Sequence, residues 1–250
     1  MRSLYETLAS IWTWLVLIVT VIVWLPLVAL LFVVTAPFDR SRYLVGRFFR
    51  RIASVIAVIN PLWHFRVSGE RVSDPRRPYV VVSNHESFTD IFLISLLPWE
   101  MKWLSKAELF RVPVVGWEMW LAGDIPIHRG VGPSAIEAMN RCRRVLHEWK
   151  VSVMIFPEGT RSRTGEMLPF KEGAFRLAID AGVPILPLAL AGTGPALRKH
   201  DWRMGRSVAE VRVLPPVETT GLSIADVPAL RDRVRAMITE ARDAMRARTT

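Results

Sequence analysis

YVVVSNHESFTD, residues 79–90, decides the fold. Residues 79–84 begin as a short run rich in β-branched side chains, the pattern of a buried strand. Polar residues follow at once, and 88–97 then reads as a short apolar helix stopped by Pro98. A strand feeding a helix through a polar turn is the repeating unit of α/β architecture. Working outward, IPIH (125–128), VSVMIFP (151–157), PILPLALAG (184–192) and VAEVRVLPP (208–216) read as further strands. Helical spacing fills the gaps at 134–149, at 170–181, and from near Asp226 past Met245. The first of these helices opens on Pro133 and Ser134 with Glu137 three residues on, which predicts a capping box. Cys142 falls on its apolar stripe and reads as a packed thiol, not a nucleophile. The predicted fold class is α/β, a mixed sheet flanked by helices.

Upstream the pattern changes. Residues 7–38 contain no charged side chain, and a spanning helix needs only ~20 apolar residues. Pro26 sits inside the run and predicts either a kink or a re-entrant pair. A cleaved leader would have a short apolar core of ~7–15 residues after a basic start. Here the run is much longer and the basic residues follow it, so a retained membrane anchor is expected. Arg2 precedes the run; Arg40, Arg42, Arg47, Arg50 and Arg51 follow it, which places the C-terminal side in the cytoplasm. A second apolar stretch, 52–65, is too short to span and reads as an interfacial segment. The expected division is a membrane anchor over 1–65 and a soluble α/β domain over 66–250.

Composition agrees with that picture and removes several alternatives. The chain has 250 residues, of which 51% are hydrophobic, and ten are tryptophans. A single cysteine excludes an internal disulfide and any CxxC site. The five histidines (64, 85, 128, 147 and 200) lack zinc-ligand spacing, and no metal site is expected. There is no GxSxG elbow, no HExxH and no Walker loop. GTGPAL (192–197) begins like a dinucleotide fingerprint but lacks its third glycine. With 33 basic against 23 acidic residues the net charge is +10, which suits nucleic acid, an anionic membrane or an anionic substrate. A membrane-tethered nucleic-acid binder would give no task to the residues considered next.

Those residues sit at strand ends. His85 leaves the strand at 79–84, and in open α/β sheets ligands bind beyond the carboxyl ends of strands. Asp90, on the following helical turn, can fold back onto His85, fixing the imidazole tautomer and leaving the other nitrogen free to take a proton. Ser87-x-x-Asp90 is equally a capping box, so Asp90 has two readings, orienter and cap. FPEGTRS (156–162) leaves another strand. There Gly159 permits a tight turn, and Thr160 and Arg161 supply a hydroxyl and a forked cation suited to a phosphate monoester. Glu158 is out of place beside a phosphate; it either accepts from a substrate hydroxyl or holds Arg161. GDIPIHR (123–129) delivers Arg129, while Arg163 and Lys171 lie near the second motif.

Taken together, NH-x4-D, GDIPIHR, FPEGTRS and VPILPL (183–188), in that order, resemble the 1-acylglycerol-3-phosphate acyltransferase family, as does WLSKAELFRVPVVGW (103–117). The resemblance covers roughly residues 60–217; it departs at position 126, which is proline where many members carry phenylalanine. It implies an acyl transfer from acyl-CoA or acyl carrier protein to the sn-2 hydroxyl of lysophosphatidic acid, giving phosphatidic acid. It implies His85 as base with Asp90 as partner, and Arg129, Glu158, Gly159, Thr160 and Arg161 as the glycerol-phosphate site. It further implies a membrane anchor and no tightly bound cofactor. A lyso-ornithine lipid or lysophosphatidylglycerol as acceptor is the alternative within the same fold.

Overall fold

The structure is a computed structural model and describes residues 4–72, 74, 76–162, 165–198 and 201–248. The strands are β1 (Trp63–Gly69), β2 (Val80–Ser83), β3 (Met101–Lys106), β4 (Ile125–Ile127), β5 (Ser152–Ile155), β6 (Ile185–Ala191) and β7 (Ser207–Val213). The helices are α1 (Leu4–Thr35), α2 (Tyr43–Ile59), α3 (Asp90–Ile94), α4 (Val115–Ala122), α5 (Gly132–Arg144), α6 (Gly173–Asp180) and α7 (Val227–Arg246). One mixed sheet runs in the order β1-β7-β6-β2-β5-β3-β4. β6, β2, β5, β3 and β4 are mutually parallel; β7 is antiparallel to β6, and β1 is parallel to β7.

The buried strands are apolar throughout because both faces are covered. Side chains alternate along β2: Val80 and Val82 pack with Cys142, Phe175 and Ile238 on the α5–α6–α7 side. Val81 packs with Leu93, Ile94 and Leu97 on the α3 side. Burial pushes the Cys142 thiol up to about 12, in keeping with an inert packed residue. The α7 stripe Val227, Leu230, Val234, Ile238, Ala241 and Met245 is buried as its spacing predicts.

Several local expectations give way to tertiary context. The predicted capping box at Ser134 does not form: α5 starts after Val131, and the Ser134 hydroxyl accepts the His128 N–H at 3.0 Å. Glu137 pairs instead with Arg141 on the helix surface. The last turn of that helix, Val145–Trp149, is π-helical and ends at Lys150 with φ 51°. The 52–65 segment is not one interfacial unit. Its first half belongs to α2, which begins at Tyr43; the Asn60 side chain turns the chain by accepting the Leu62 N–H at 2.8 Å. Trp63 then enters β1, held on β7 at the sheet edge. β3 and α4 carry no alternation or stripe that local reading separates from their neighbours.

α1 is one continuous helix through Pro26, neither broken nor re-entrant. At 32 residues it is roughly 48 Å long, enough to cross a bilayer core with tilt. Leu8, Ile11, Leu15, Ile18 and Ile22 point outward from it, exposed. α1 alone among the described residues is long and apolar enough for a span. α2 lies across it and is tied to the sheet by charge. Arg50 is buried and pairs with Asp124, close to Glu100. Lys102, fully buried, donates to Glu100 at 3.1 Å and to the Arg42 carbonyl at 2.8 Å. α2 approaches so closely that a Cβ on Gly46 would lie 2.0 Å from Glu100 Oε1. Removing one partner from such a cluster leaves a buried charge uncompensated, typically at about 3–5 kcal/mol.

Glu118 on α4 is fully buried, and neither carboxylate oxygen has a partner. Burial alone raises its pKa to about 8, so the folded protein holds it protonated at neutral pH. The unfolded chain releases that proton near pH 4.5, so stability is full below that value and declines as pH rises towards 8. The melting temperature in detergent should therefore fall between pH 5 and 8.5, and Glu118→Gln should remove that part of the slope. A variant with the same slope as the parent would show that Glu118 does not titrate in this window.

Candidate active site

β2, β4, β5 and β6 run in one direction, so their carboxyl ends share one edge of the sheet, where α/β folds bind ligands. Asn84 and His85 leave β2, Arg129 follows β4, residues 156–161 leave β5, and Thr193 follows β6. Asn84 extends the sheet with its side chain: Nδ2 donates to the Leu190 carbonyl at 2.9 Å and Oδ1 accepts the Leu190 N–H at 2.8 Å. The backbone is thereby released for the polar turn while β6 keeps its pairing.

His85 Nδ1 lies 2.7 Å from Asp90 Oδ2. The same oxygen accepts the N–H of Glu86 at 2.8 Å and of Ser87 at 3.1 Å, and Oδ1 accepts the Thr193 hydroxyl. Surrounded by donors, Asp90 acts as the acceptor. This network assigns the proton to Nδ1 and leaves the Nε2 lone pair free. Asp90 contacts the His85 ring and also gathers the turn's amides. Only half of the predicted capping box forms: Asp90 accepts the Ser87 N–H, but the Ser87 hydroxyl accepts the Thr89 N–H at 3.3 Å, and the Asp90 N–H goes to the Ser87 carbonyl. Asp90 is fully buried, whereas the His85 side chain is 15% exposed and stacks on Phe156 with centroids 3.9 Å apart.

The second motif is built onto the first. Glu158 Oε1 accepts the His85 N–H at 2.7 Å and Oε2 accepts the Leu168 N–H at 2.8 Å. The Ser162 N–H returns a bond to the His85 carbonyl at 3.0 Å. Glu158 is buried, and its pKa is raised by burial against the pull of these amides. It therefore braces two loops, the one that carries His85 and the one that carries Leu168. Gly159 turns with φ +72°, and a Cβ there would meet Lys171 Nζ at 2.9 Å. Lys171 is thus seated over the turn, a position sequence proximity only suggested. Thr160 is exposed at the turn and Arg161 is half-buried beyond it; Arg163 lies outside the described residues.

Arg129, Gly159 and Lys171 line one cleft of about 450 Å³, whose floor is apolar: Leu104, Ile127, Met139, Ile155 and Phe156. Burial and the neighbouring Arg161 charge lower the pKa of Arg129, against a raising effect of Glu108. Arg129 and Arg161 are therefore close enough for their charges to interact. Phe156 joins the two halves, lining the cleft on one side and carrying the His85 ring on the other. Asn84 and Thr193 are the site residues that sequence reasoning missed. GTGPAL held the only local signal for Thr193, a polar residue directly after a strand. Among the described residues no cluster of His, Cys, Asp and Glu is suited to a metal ion.

Residues 64–191 match the family model described as Acyltransferase. The chain is 44% identical over 179 residues to human 1-acyl-sn-glycerol-3-phosphate acyltransferase alpha, covering 71% of this chain and 63% of that one. It is 38% identical over 158 residues to 1-acyl-sn-glycerol-3-phosphate acyltransferase BAT2, chloroplastic, of Brassica napus, covering 63% and 45%. The chain thus spans under two thirds of the length of these curated relatives. The crystal structure of the 1-acyl-sn-glycerophosphate (LPA) acyltransferase, PlsC, from Thermotoga maritima shares the fold, with a TM-score of 0.81 over 99% of this chain and 98% of that one at 24% identity.

Proposed function

We propose, from the premise that this chain belongs to the acyltransferase family, that it acylates the sn-2 hydroxyl of 1-acylglycerol-3-phosphate with a thioester donor, acyl-CoA or acyl carrier protein. The product is phosphatidic acid. The observation that carries this reading is His85, held through Nδ1 by Asp90 and stacked on the wall of an apolar cleft rimmed by cations. An apolar floor with a basic rim suits an anionic amphiphile. His85 Nε2 takes the hydroxyl proton as the oxygen attacks the thioester carbonyl. A C–O bond forms, the C–S bond breaks, and the imidazolium returns its proton to the departing thiolate. Asp90 holds the ring and stabilises its cationic form. Arg129, Arg161 and Lys171 hold the phosphate, Gly159 and Thr160 shape the turn that receives it, and Glu158 keeps that turn against His85.

The relatives' printed names support this acceptor. So do the three cations, which a phosphate-free acceptor would leave without a task. Residues 66–250 carry the chemistry. Residues 1–65 anchor it to an anionic membrane surface, with the catalytic domain on the cytoplasmic side that the arginines after the apolar run favour. No nucleic-acid partner and no tightly bound cofactor is part of this reading.

The test is purified full chain offered lysophosphatidic acid, lysophosphatidylglycerol, lyso-ornithine lipid and monoacylglycerol with each donor type. Lysophosphatidic acid should give the highest kcat/KM. A higher value for another lysolipid would reassign the acceptor. Donor without acceptor should leave the intact mass unchanged, because transfer is direct. A gain of one acyl chain would establish a covalent intermediate and overturn this mechanism.

A further inference from the structure

Arg246 belongs to the last turn of α7, remote in sequence from either motif. One of its guanidinium nitrogens donates to Glu86 Oε1 at 3.0 Å and to the Gly165 carbonyl at 2.8 Å. Glu86 directly follows His85, and its own N–H is one of the donors that hold Asp90. Its other oxygen lies 3.4 Å from the Thr193 hydroxyl, whose proton is directed at Asp90. Gly165 stands on the loop that continues from FPEGTRS. A single nitrogen thus joins the C-terminal helix to the turn that carries the base and to the loop that carries Arg161.

The Glu86 side chain is only 8% exposed, so this is not a surface pair of negligible strength. Burial and Asp90 raise the Glu86 pKa, and Arg246 with Arg242 draws it back down. Arg246 is thus the cation that holds this buried carboxylate in place.

We propose that Arg246 is a positioning residue of the active site, holding Glu86 and Gly165 so that the His85–Asp90 pair and Ser162, whose hydroxyl accepts the Gly165 N–H at 3.0 Å, keep a fixed relation. The proposal rests on the reading of His85 as base. It links the end of α7 to turnover through two hydrogen bonds and without contact to substrate.

The experiment is steady-state kinetics of the full chain on lysophosphatidic acid, comparing wild type with Arg246→Gln, Arg246→Lys, Glu86→Gln and the double variant Glu86→Gln/Arg246→Gln. Arg246→Gln should lower kcat about tenfold, the loss expected for a charge-assisted hydrogen bond. KM for the donor should stay within about twofold. Glu86→Gln should lower kcat in the same direction, and the double variant should be no worse than Arg246→Gln alone, because Arg246→Gln already removes the link that Glu86→Gln weakens. Arg246→Lys, which keeps the cation, should recover to within about threefold of wild type. Wild-type kcat in Arg246→Gln, losses that multiply in the double variant, or no rescue by lysine would each overturn the proposal. Should Arg246→Gln fail to fold, Glu86→Gln and Arg246→Lys decide it by the same criteria. His85→Ala is run alongside. Full activity there sinks the reading of His85, whereas an inactive His85→Ala with an unaffected Arg246→Gln sinks only the present proposal.

Discussion

His85→Ala is expected to lower kcat by about 10²- to 10⁴-fold, the range for losing a positioned general base, with KM changed only a few-fold. The ring is partly exposed and packs on Phe156 from one side, so its removal should leave folding intact. Asp90→Asn should come close in kcat for a different reason. Asp90 accepts from the ring, two backbone N–H groups and the Thr193 hydroxyl, and an asparagine has only one oxygen to offer them. With its oxygen towards the ring, the asparagine amide faces the Thr193 hydroxyl, which can turn to accept; reversed, the ring and the turn lose their acceptor; in both cases the charge that stabilises the imidazolium is gone. The melting temperature should accordingly drop for Asp90→Asn and hold for His85→Ala. Near wild-type turnover by His85→Ala on lysophosphatidic acid would refute the mechanism.

Arg161→Lys and Arg129→Lys should each lower kcat/KM for lysophosphatidic acid by about 10- to 200-fold, corresponding to loss of a charge-assisted bond of roughly 1.5–3 kcal/mol. Lysine keeps the charge but not the planar fork that grips two phosphate oxygens. The cleft supports convergence of these cations: Arg129 lines it with Lys171, and Arg161 is near enough to depress the Arg129 pKa. On monoacylglycerol the same variants should match wild type, since there is no phosphate to hold. Equal losses on both acceptors would show that the arginines support the fold or grip the donor, and the phosphate assignment would fall.

The legible part of the site follows from strand ends. His85 and the turn at Gly159 sit where a local reading puts them, because a β-branched run that stops at polar residues marks the carboxyl end of a strand. Glu158 shows the limit of that reading. Its motif is correctly placed, but its partner His85 is brought to it by the pairing of β2 with β5, and Leu168 by the return of its own loop. The arginines after α1 show a second limit. As a sequence cluster they read as free charges near a membrane. In the fold Arg42 donates to the Trp120 carbonyl at 2.7 Å, Arg47 to the Leu97 carbonyl at 2.8 Å, and Arg50 is buried against Asp124.

The sequence by itself determined the α/β class, the apolar helix, the packed state of Cys142 and the strand-end position of His85. Each of these depends on spacing within a dozen residues, where the periods of helix and strand and the chemistry of a turn act locally. Only the tertiary structure decided that Asn84 pairs with Leu190, that Thr193 holds Asp90, that Glu158 accepts from the His85 backbone, and that Arg246 reaches Glu86. These contacts join residues separated by 73 to 160 positions, and nothing in their local composition encodes the separation. They exist because parallel strands bring distant carboxyl ends to one edge, and because a buried polar group there must take its partner from whatever chain the topology supplies.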